Sequence, residues 1–188
     1  MTREGALTRE DFAGGAVTTV PLAVEAARPE DFARIGEIGV VAYSAADSLQ
    51  PSLNEEYAEA LRSVEERATH GVVLVARAGG VVLGSLTLAP AGSRWADLAR
   101  DGEVEVRMLA VDPGVQGRGA GEALLRGARR WAEERGHRAL VLSVVSTDGP
   151  GRPHRLYARM GFRRDQARDY VGWWEPQPSM WVYELPLE

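Results

Sequence analysis

The chain contains no cysteine and only three histidines among its 188 residues. The lack of cysteine excludes disulfides, thiolate zinc sites and a cysteine nucleophile. The histidines, His70, His137 and His154, are scattered without the spacing of metal ligands, and no H-E-x-x-H pattern occurs. The sequence therefore argues against a metal site and against catalysis by a bound metal.

Long apolar runs and an excess of positive charge are also missing. No stretch approaches the roughly 18 apolar residues that a membrane helix needs, and residues 1–19 lack the apolar region of a secretion signal. The net charge of -5 leaves no broad basic surface for nucleic acid or anionic membranes. We therefore expect a cytoplasmic protein with no nucleic-acid or membrane partner, in which any anion is bound locally.

The composition itself is that of an ordinary globular protein, with 45% hydrophobic and 26% charged residues. The length exceeds what one small core needs but is too short for two comfortable domains. Residues 1–19 mix charge, glycine and threonine without a period, which predicts a flexible tail. We expect a single domain over residues 20–188.

Hydrophobic periodicity predicts alternating helices and strands. Two β-branched runs joined at Gly79 and Gly80 predict an antiparallel hairpin. A strand, a strongly patterned helix and another buried strand then follow in order, which predicts a right-handed parallel crossover. Helices are expected over residues 29–43, 53–70, 120–135 and 153–160, and strands over 21–27, 72–78, 81–90, 104–111, 139–145, 162–170 and 180–185.

The most informative segment is a glycine-rich turn, QGRGAG at residues 116–121, between a predicted strand and a predicted helix. Its three glycines permit close backbone approach, and the first N–H groups of the helix have no intrahelical acceptor, so they can bind an anion. Arg118 adds a positive charge, although it equally suits a solvated loop. Close packing of a helix on a sheet also selects glycine. Because no GK[ST] ending is present, a CoA-type pyrophosphate fits better than a nucleoside triphosphate.

Two motifs in order resemble the GNAT acetyltransferase family. Residues 116–121 match its [Q/R]-x-x-G-x-[G/A] signature after the strand EVRMLAVDP, and HRLYARMGF at 154–162 is similar to the family segment A-x-x-L-Y-x-x-x-G-F. The resemblance covers about residues 22–186. It implies an α/β (α+β) GNAT fold: a mixed, mostly antiparallel twisted sheet of about six to seven strands, flanked by about four helices, with a central parallel β-α-β crossover.

The resemblance also implies an activity, an acetyl-CoA-dependent N-acetyltransferase acting by direct attack of a primary amine. In this family the central strand and the next parallel strand splay apart, and the acetyl group lies at the gap. The cofactor-binding positions carried over are Leu109, Ala110 and Val111 on the central strand, and Gln116, Gly117, Arg118, Gly119, Ala120 and Gly121 in the turn.

Two residues carry the catalytic expectations. Tyr157 matches the family tyrosine that protonates the departing CoA thiolate, and a phenol suits this role because it is a neutral donor at pH 7. The alternative is a core tyrosine on a short helix. Glu105 matches the general base of one branch of the family, acting directly or through water. Alternatively, Glu103 and Glu105 share one strand face and point to solvent or pair with Arg107 across a neighbouring strand.

The acceptor side is less defined by the sequence. Aromatic residues concentrate near the end of the chain, and they suggest either a wall for a cationic amine or hydrophobic cover: Tyr170, Trp173, Trp174 and Trp181. Pro150 lies where the family often has an asparagine, for which Ser146 is a substitute. His154 and Arg155 suggest a surface basic pair or contacts to the cofactor phosphates.

The partner remains a small-molecule or peptide amine, and a homodimer is one expectation because dimers are common in the family. A non-catalytic acyl-CoA-binding or regulatory module remains an alternative function. Transfer of another acyl group, or transfer to a hydroxyl, is a further alternative, because the turn would recognise CoA and not the acyl chain.

Overall fold

The computed structural model describes residues 21–45, 54–146, 152–172 and 177–188. The predicted tail over residues 1–19 lies outside this part of the chain. The α-helices are α1 Phe32–Ala45, α2 Glu55–Arg62, α3 Val64–His70, α4 Ala120–Glu133 and α5 Arg152–Arg159. The strands are β1 Ala23–Ala26, β2 Val72–Ala78, β3 Val81–Pro90, β4 Glu103–Val111, β5 Ala139–Val145, β6 Arg163–Arg164, β7 Tyr170–Val171 and β8 Ser179–Pro186.

All eight strands join one sheet in the order β1-β2-β3-β4-β5-β8-β6, and β7 also pairs with β8. Every pairing is antiparallel except that of β4 with β5, which α4 connects. The expected mixed, mostly antiparallel sheet with a central crossover is therefore confirmed. The described residues form eight strands and five helices, one or two strands and one helix more than expected.

The extra helix arises because the predicted helix over residues 53–70 is interrupted. Asn54 caps α2 by accepting a hydrogen bond from the N–H of Tyr57, but Ser63 adopts a ψ of 53° and ends the helix. The Ser63 hydroxyl donates to the Glu59 carbonyl at 2.9 Å, a local bond that competes with helix continuation. Leu61 and Val64 stay buried on either side of the break. The apolar spacing therefore gave no sign of the interruption.

The extra strand arises because residues 162–170 do not form one strand. The two short strands β6 and β7 are separated by a 3-10 turn, Gln166–Arg168. The Asp165 side chain accepts a hydrogen bond from the N–H of Ala167 at 3.2 Å, which stabilises the turn at the expense of strand pairing. The turn brings Arg168 toward the centre of the sheet.

The sheet has two covered faces. On one face, α4 and α5 pack over an apolar cluster that includes Leu124, Leu142 and Tyr157. On the other face, α1 and α3 pack over a second cluster. We call these the α4 face and the α1 face. Because side chains alternate along a strand, Val104 and Val106 lie on the α4 face, whereas Glu103, Glu105 and Arg107 lie on the α1 face.

Candidate active site

A gap opens between the two parallel strands at the centre of the sheet. Strands β4 and β5 pair only as far as Glu105 and Val141. Beyond that point the edge of β4 that faces β5 has no strand partner in the described part of the chain. The splay expected from the family resemblance is therefore present, and it exposes backbone N–H and C=O groups to the gap.

A β-bulge reshapes β4 beside this gap. Met108 and Leu109 together stand opposite the single residue Leu86 of β3, and Met108 has a φ of 51°. A bulge of this kind twists the strand and re-aims the groups that follow it. Here it reverses the side-chain alternation, so that Ala110 packs on the α1 face whereas Leu109 and Val111 pack on the α4 face. The predicted cofactor-binding segment thus begins at the bulge.

The glycine-rich turn uses its glycines for two different reasons. Gly117 and Gly119 have φ values of 82° and 87°, and no crowding would prevent a side chain at Gly117, so the backbone conformation selects glycine there. Gly121 is helical, and a Cβ at this position would lie 3.3 Å from Leu156. The packing explanation therefore applies to Gly121, while the first two glycines shape the turn that leads to the free N–H groups of α4.

The approach to the turn is fixed by side chains from the strand and from α1. The Asp112 carboxylate forms an ion pair with Arg34 and accepts a hydrogen bond from the backbone N–H of Gly114 at 2.9 Å. The Gln116 side chain donates a hydrogen bond to the Val111 carbonyl at 3.3 Å. Arg118 is half-buried beside the turn. These contacts hold the segment between strand and helix in one position.

Tyr157 lies in the core of the α4 face. Its ring is 5.8 Å from that of Phe162 and 6.0 Å from that of Tyr183, and it is 8% exposed. Burial raises the pKa of Tyr157 well above its usual range, so the phenol stays protonated at neutral pH. The pKa of Tyr43, raised chiefly by burial, is raised further by the phenols of Tyr57 and Tyr157.

Glu105 is buried on the opposite side of the same gap. It is 3% exposed, and its Oε2 accepts hydrogen bonds from the backbone N–H groups of Asp97 and Leu98, both at 2.7 Å. Its Oε1 lies 3.7 Å from Nε of Arg107. Burial raises the pKa of Glu105, against the lowering effect of Arg107 and the two N–H groups. The alternative in which Glu105 points to solvent is wrong, and Arg107, the partner in the other alternative, approaches it from its own strand.

Glu103 has a different environment although it shares the strand face. It is 2% exposed and accepts hydrogen bonds from Arg168 at 3.1 Å, from Arg138 at 2.9 Å and from the N–H of Arg100 at 2.9 Å. Burial opposes ionisation, but these partners outweigh it and lower the pKa of Glu103. Glu103 therefore has a structural role: through Arg168 it connects β4 to the turn before β7.

The aromatic residues near the end of the chain are divided between the two faces. The Tyr170 hydroxyl is 3.1 Å from Oγ of Ser143, which lies in the splayed part of β5. Trp181 instead packs on the α4 face, with the Arg164 guanidinium 3.8 Å from its ring centroid. Trp173 and Trp174 lie outside the described residues. One continuous wall containing both Tyr170 and Trp181 is therefore not formed.

Two tyrosines that pack against each other were missed by the sequence reasoning. Tyr43 of α1 and Tyr57 of α2 pack with ring centroids 5.6 Å apart. The sequence predicts Tyr57 only as part of the helix over residues 53–70 and Tyr43 only as the last residue of the helix over residues 29–43. A phenol on a buried stripe must find a polar partner, and this requirement was the available signal.

Of the two basic residues predicted to lie on the surface beside Tyr157, only Arg155 does so. Arg155 is exposed, but His154 is 4% exposed and its Nδ1 lies 2.9 Å from the Tyr183 hydroxyl. Burial lowers the pKa of His154, although a hydrogen bond with the Val145 backbone opposes the effect. His154 thus lies in the core, where burial favours its neutral form. The N–H of Ser146 donates to the Ser179 carbonyl at 2.7 Å, and Pro150 lies outside the described residues.

Within the described ranges, no group of three or more histidine, aspartate or glutamate side chains is arranged to hold a metal ion. In the same part of the chain, no helix has the length and apolar character needed to cross a membrane.

Comparisons with known proteins agree with this architecture. A sequence model of the Acetyltransferase (GNAT) family matches residues 41–162, which is more than half of the chain. A comparison with curated protein sequences gave no significant match. Among solved structures, yncA of Salmonella typhimurium, determined with its cofactor acetyl-CoA, is 24% identical with a TM-score of 0.66, over 89% of this chain and 94% of that one.

Two further solved structures share the fold. The ribosomal-protein-alanine N-acetyltransferase of Brucella melitensis is 20% identical with a TM-score of 0.64, over 88% of this chain and 99% of that one. An N-acetyltransferase from Staphylococcus aureus Mu50 is 18% identical with a TM-score of 0.61, over 89% and 99% of the two chains. At these identities the structural likeness establishes the fold alone.

Proposed function

Because the chain belongs to the GNAT acetyltransferase family, we propose that it transfers the acetyl group of acetyl-CoA directly to the primary amine of a small molecule or peptide. The observation that carries this proposal is the convergence of three features on one gap. The edge of β4 is unpaired there, the same strand leads into the glycine-rich turn at the start of α4, and the buried Tyr157 belongs to the cluster against which Leu109 and Val111 of β4 pack.

The donor would bind along β4 and the turn. The backbone of residues 109–111 offers N–H and C=O groups to the pantetheine arm, as strand edges do for extended ligands. Residues 116–121 would bind the pyrophosphate, because the first N–H groups of α4 have no acceptor within the helix and lie at its positive end. Arg118 adds a positive charge beside them.

In the reaction, the amine attacks the thioester carbonyl and the carbon–sulfur bond breaks. Glu105 takes the proton from the amine, directly or through one water. Because its Oε2 accepts two backbone hydrogen bonds, Oε1 is the atom left for this role. A raised pKa makes the carboxylate a stronger base than an exposed glutamate.

Charge that develops on the carbonyl oxygen would be stabilised by a backbone N–H of β4 next to the bulge. Tyr157 then donates its proton to the departing CoA sulfur. Its high pKa ensures that the proton is present at neutral pH, and its apolar surroundings keep water away from the leaving group. No covalent enzyme intermediate is required.

Two measurements test this function. Isothermal titration should detect acetyl-CoA binding, and failure to bind at millimolar concentration would overturn the proposal. A thiol reagent should then report free CoA when amines are added, with no background from the cysteine-free chain. Binding without thiol release would favour a non-catalytic acyl-CoA-binding module. Propionyl-CoA and alcohol acceptors in the same assay would reveal another acyl or hydroxyl preference.

A further inference from the structure

A buried positive charge on the α1 face has no carboxylate partner. Arg67 of α3 is 1% exposed. Its Nη1 donates to the Thr87 hydroxyl and its Nη2 donates to the Leu61 carbonyl, both at 2.7 Å. Its Nε has no hydrogen-bond partner, and no carboxylate of the described residues pairs with it. An uncompensated buried charge is costly, so a purely structural role explains Arg67 poorly.

Arg67 stands behind a second arginine that is accessible. Thr87, its hydrogen-bond partner, is the cross-strand neighbour of Arg107. The Arg107 side chain is 21% exposed and contacts Glu105 and Asp97. The Asp97 side chain is 67% exposed, and an ion pair at such a site contributes little. Arg107 therefore has one buried carboxylate neighbour, Glu105, whereas Arg67 has none among the described residues, so the positive charge of Arg67 is left uncompensated on this part of the face.

Trp95, whose backbone binds Arg107, also carries a buried hydrogen-bond donor without a partner. The Trp95 carbonyl accepts from Nη1 of Arg107 at 2.7 Å, but the Trp95 indole N–H is buried without a partner. Tyr57 lies close enough to Arg107 and Arg67 for both guanidinium groups to lower its pKa, although burial raises it overall. A ligand that supplies oxygen acceptors and negative charge would bind the accessible Arg107 guanidinium and offset the charge of Arg67 behind it.

Resting on the proposed acetyl transfer, we propose that the acceptor amine also carries an anionic oxyacid group, in the simplest case the carboxylate of a free amino acid. This group binds Arg107, with the charge of Arg67 behind it. Arg107 and Glu105 are two positions apart on one strand face, about 7 Å along β4. An amino acid bound by its carboxylate at Arg107 therefore presents its amine toward Glu105 and the gap.

Matched acceptors test the anionic group. Free amino acids, their amides and their decarboxylated amines are compared by thiol release with acetyl-CoA. A charge-assisted bond to Arg107 predicts that kcat/KM is about 10- to 100-fold higher for the acid than for its amide. Amides or simple amines used equally well would overturn the proposal. Aminoalkylphosphonates in the same assay show whether another oxyacid group replaces the carboxylate.

Variants test the two arginines. Arg107→Gln should lower the acid-to-amide ratio of kcat/KM about tenfold and leave the KM for acetyl-CoA unchanged. Arg67→Met should lower the same ratio, whereas Arg67→Lys keeps the charge and most of the preference. Arg129→Gln, on the outer surface of α4, is the control. Both acceptors are measured in one preparation, so partial misfolding cancels from the ratio. An unchanged ratio in Arg107→Gln and Arg67→Met contradicts the assignment.

A binding measurement separates this proposal from the proposed function. Isothermal titration in the presence of CoA compares N-acetyl amino acids with the corresponding N-acetyl amines, without turnover. Tighter binding of the acids supports the anion site even if no amine releases thiol, in which case only the transfer function fails. Transfer to amines without any preference for the acids would overturn the anion site alone.

Discussion

The backbone N–H of Leu98 donates to the Glu105 carboxylate at 2.7 Å, while the carbonyl of the same residue accepts a hydrogen bond from Arg168. Arg168 in turn binds Glu103. One residue of the loop before β4 thus connects the structural ion pair of Glu103 with the proposed base Glu105. The loop holds Oε2 of Glu105 in place. The orientation of the proposed reactive atom, Oε1, therefore depends on the hydrogen bonds that Arg168 makes with Leu98 and Glu103.

Replacing Glu105 tests its role as the base. Its raised pKa predicts that kcat/KM falls with decreasing pH at a value above 4.5, because the protonated carboxyl cannot accept a proton. Glu105→Gln should lower kcat about a hundredfold and remove this acidic limb, while acetyl-CoA binding is retained. The measurement is a pH profile of thiol release. An unchanged rate and profile in the variant would show that water or another group takes the proton.

The Glu103 network predicts a pH-dependent stability. Because the pKa of Glu103 is lower in the folded protein than in the unfolded chain, its contribution is present above about pH 4.5 and is lost as the pH falls toward the folded value. Glu103→Gln leaves Arg168, whose side chain is 5% exposed, without its main partner. The free energy of unfolding at pH 7 should fall by about 3 kcal/mol.

Urea denaturation at several pH values checks this expectation. The difference between the native chain and Glu103→Gln should shrink as the pH falls below 4.5, where Glu103 is protonated first in the unfolded chain and, at lower pH, in the folded protein. Glu122→Gln is a suitable control, because Glu122 forms an exposed pair with Arg126 and its replacement should change stability by less than about 1 kcal/mol. A pH-independent loss in Glu103→Gln would contradict the electrostatic explanation.

The local motifs of the site could be predicted from the sequence because short segments determine them. The positive φ angles of Gly117 and Gly119 determine the turn within residues 116–121. The motif at residues 154–162 is enough to predict that Tyr157 lies on a short helix. The central strand and the crossover helix likewise follow from apolar runs with one consistent period. These elements need no knowledge of distant contacts.

The features that were missed depend on partners far apart in the sequence. The bulge at Met108 exists because β3 offers one residue opposite two, and the MLAV run contains no glycine or polar residue to mark it. The role proposed for Arg67 depends on its hydrogen bond to Thr87, 20 residues away, and on the absence of a carboxylate beside it among the described residues. The break at Ser63 is the exception, because it involves a local bond to the Glu59 carbonyl, and it was missed because it leaves the apolar spacing intact. Tertiary pairing decided the other two positions.

Tyr157→Phe tests the proposed acid. The phenyl ring preserves the packing against Phe162 and Tyr183, so the fold should be unchanged, but the departing thiolate loses its proton donor. We expect kcat to fall about a hundredfold with little change in the KM for acetyl-CoA. Tyr183→Phe is the matched control, because it removes a neighbouring hydroxyl that contacts His154 and should have a much smaller effect. Equal rates for the native chain and Tyr157→Phe would show that Tyr157 is not the acid and contributes only to packing.

The glycine turn allows a test that separates cofactor binding from backbone strain. Gly117 and Gly136 both have positive φ values, of 82° and 70°, and a Cβ at either position would meet no atom within 4 Å. Gly117→Ala and Gly136→Ala should therefore cost similar stability, about 1 kcal/mol each, by thermal or urea unfolding. Only Gly117 lies in the proposed pyrophosphate site. Isothermal titration should show weaker acetyl-CoA binding for Gly117→Ala and unchanged binding for Gly136→Ala, since Gly136 lies beyond the far end of α4. If both variants bind acetyl-CoA like the native chain, the pyrophosphate does not depend on the conformation of this turn.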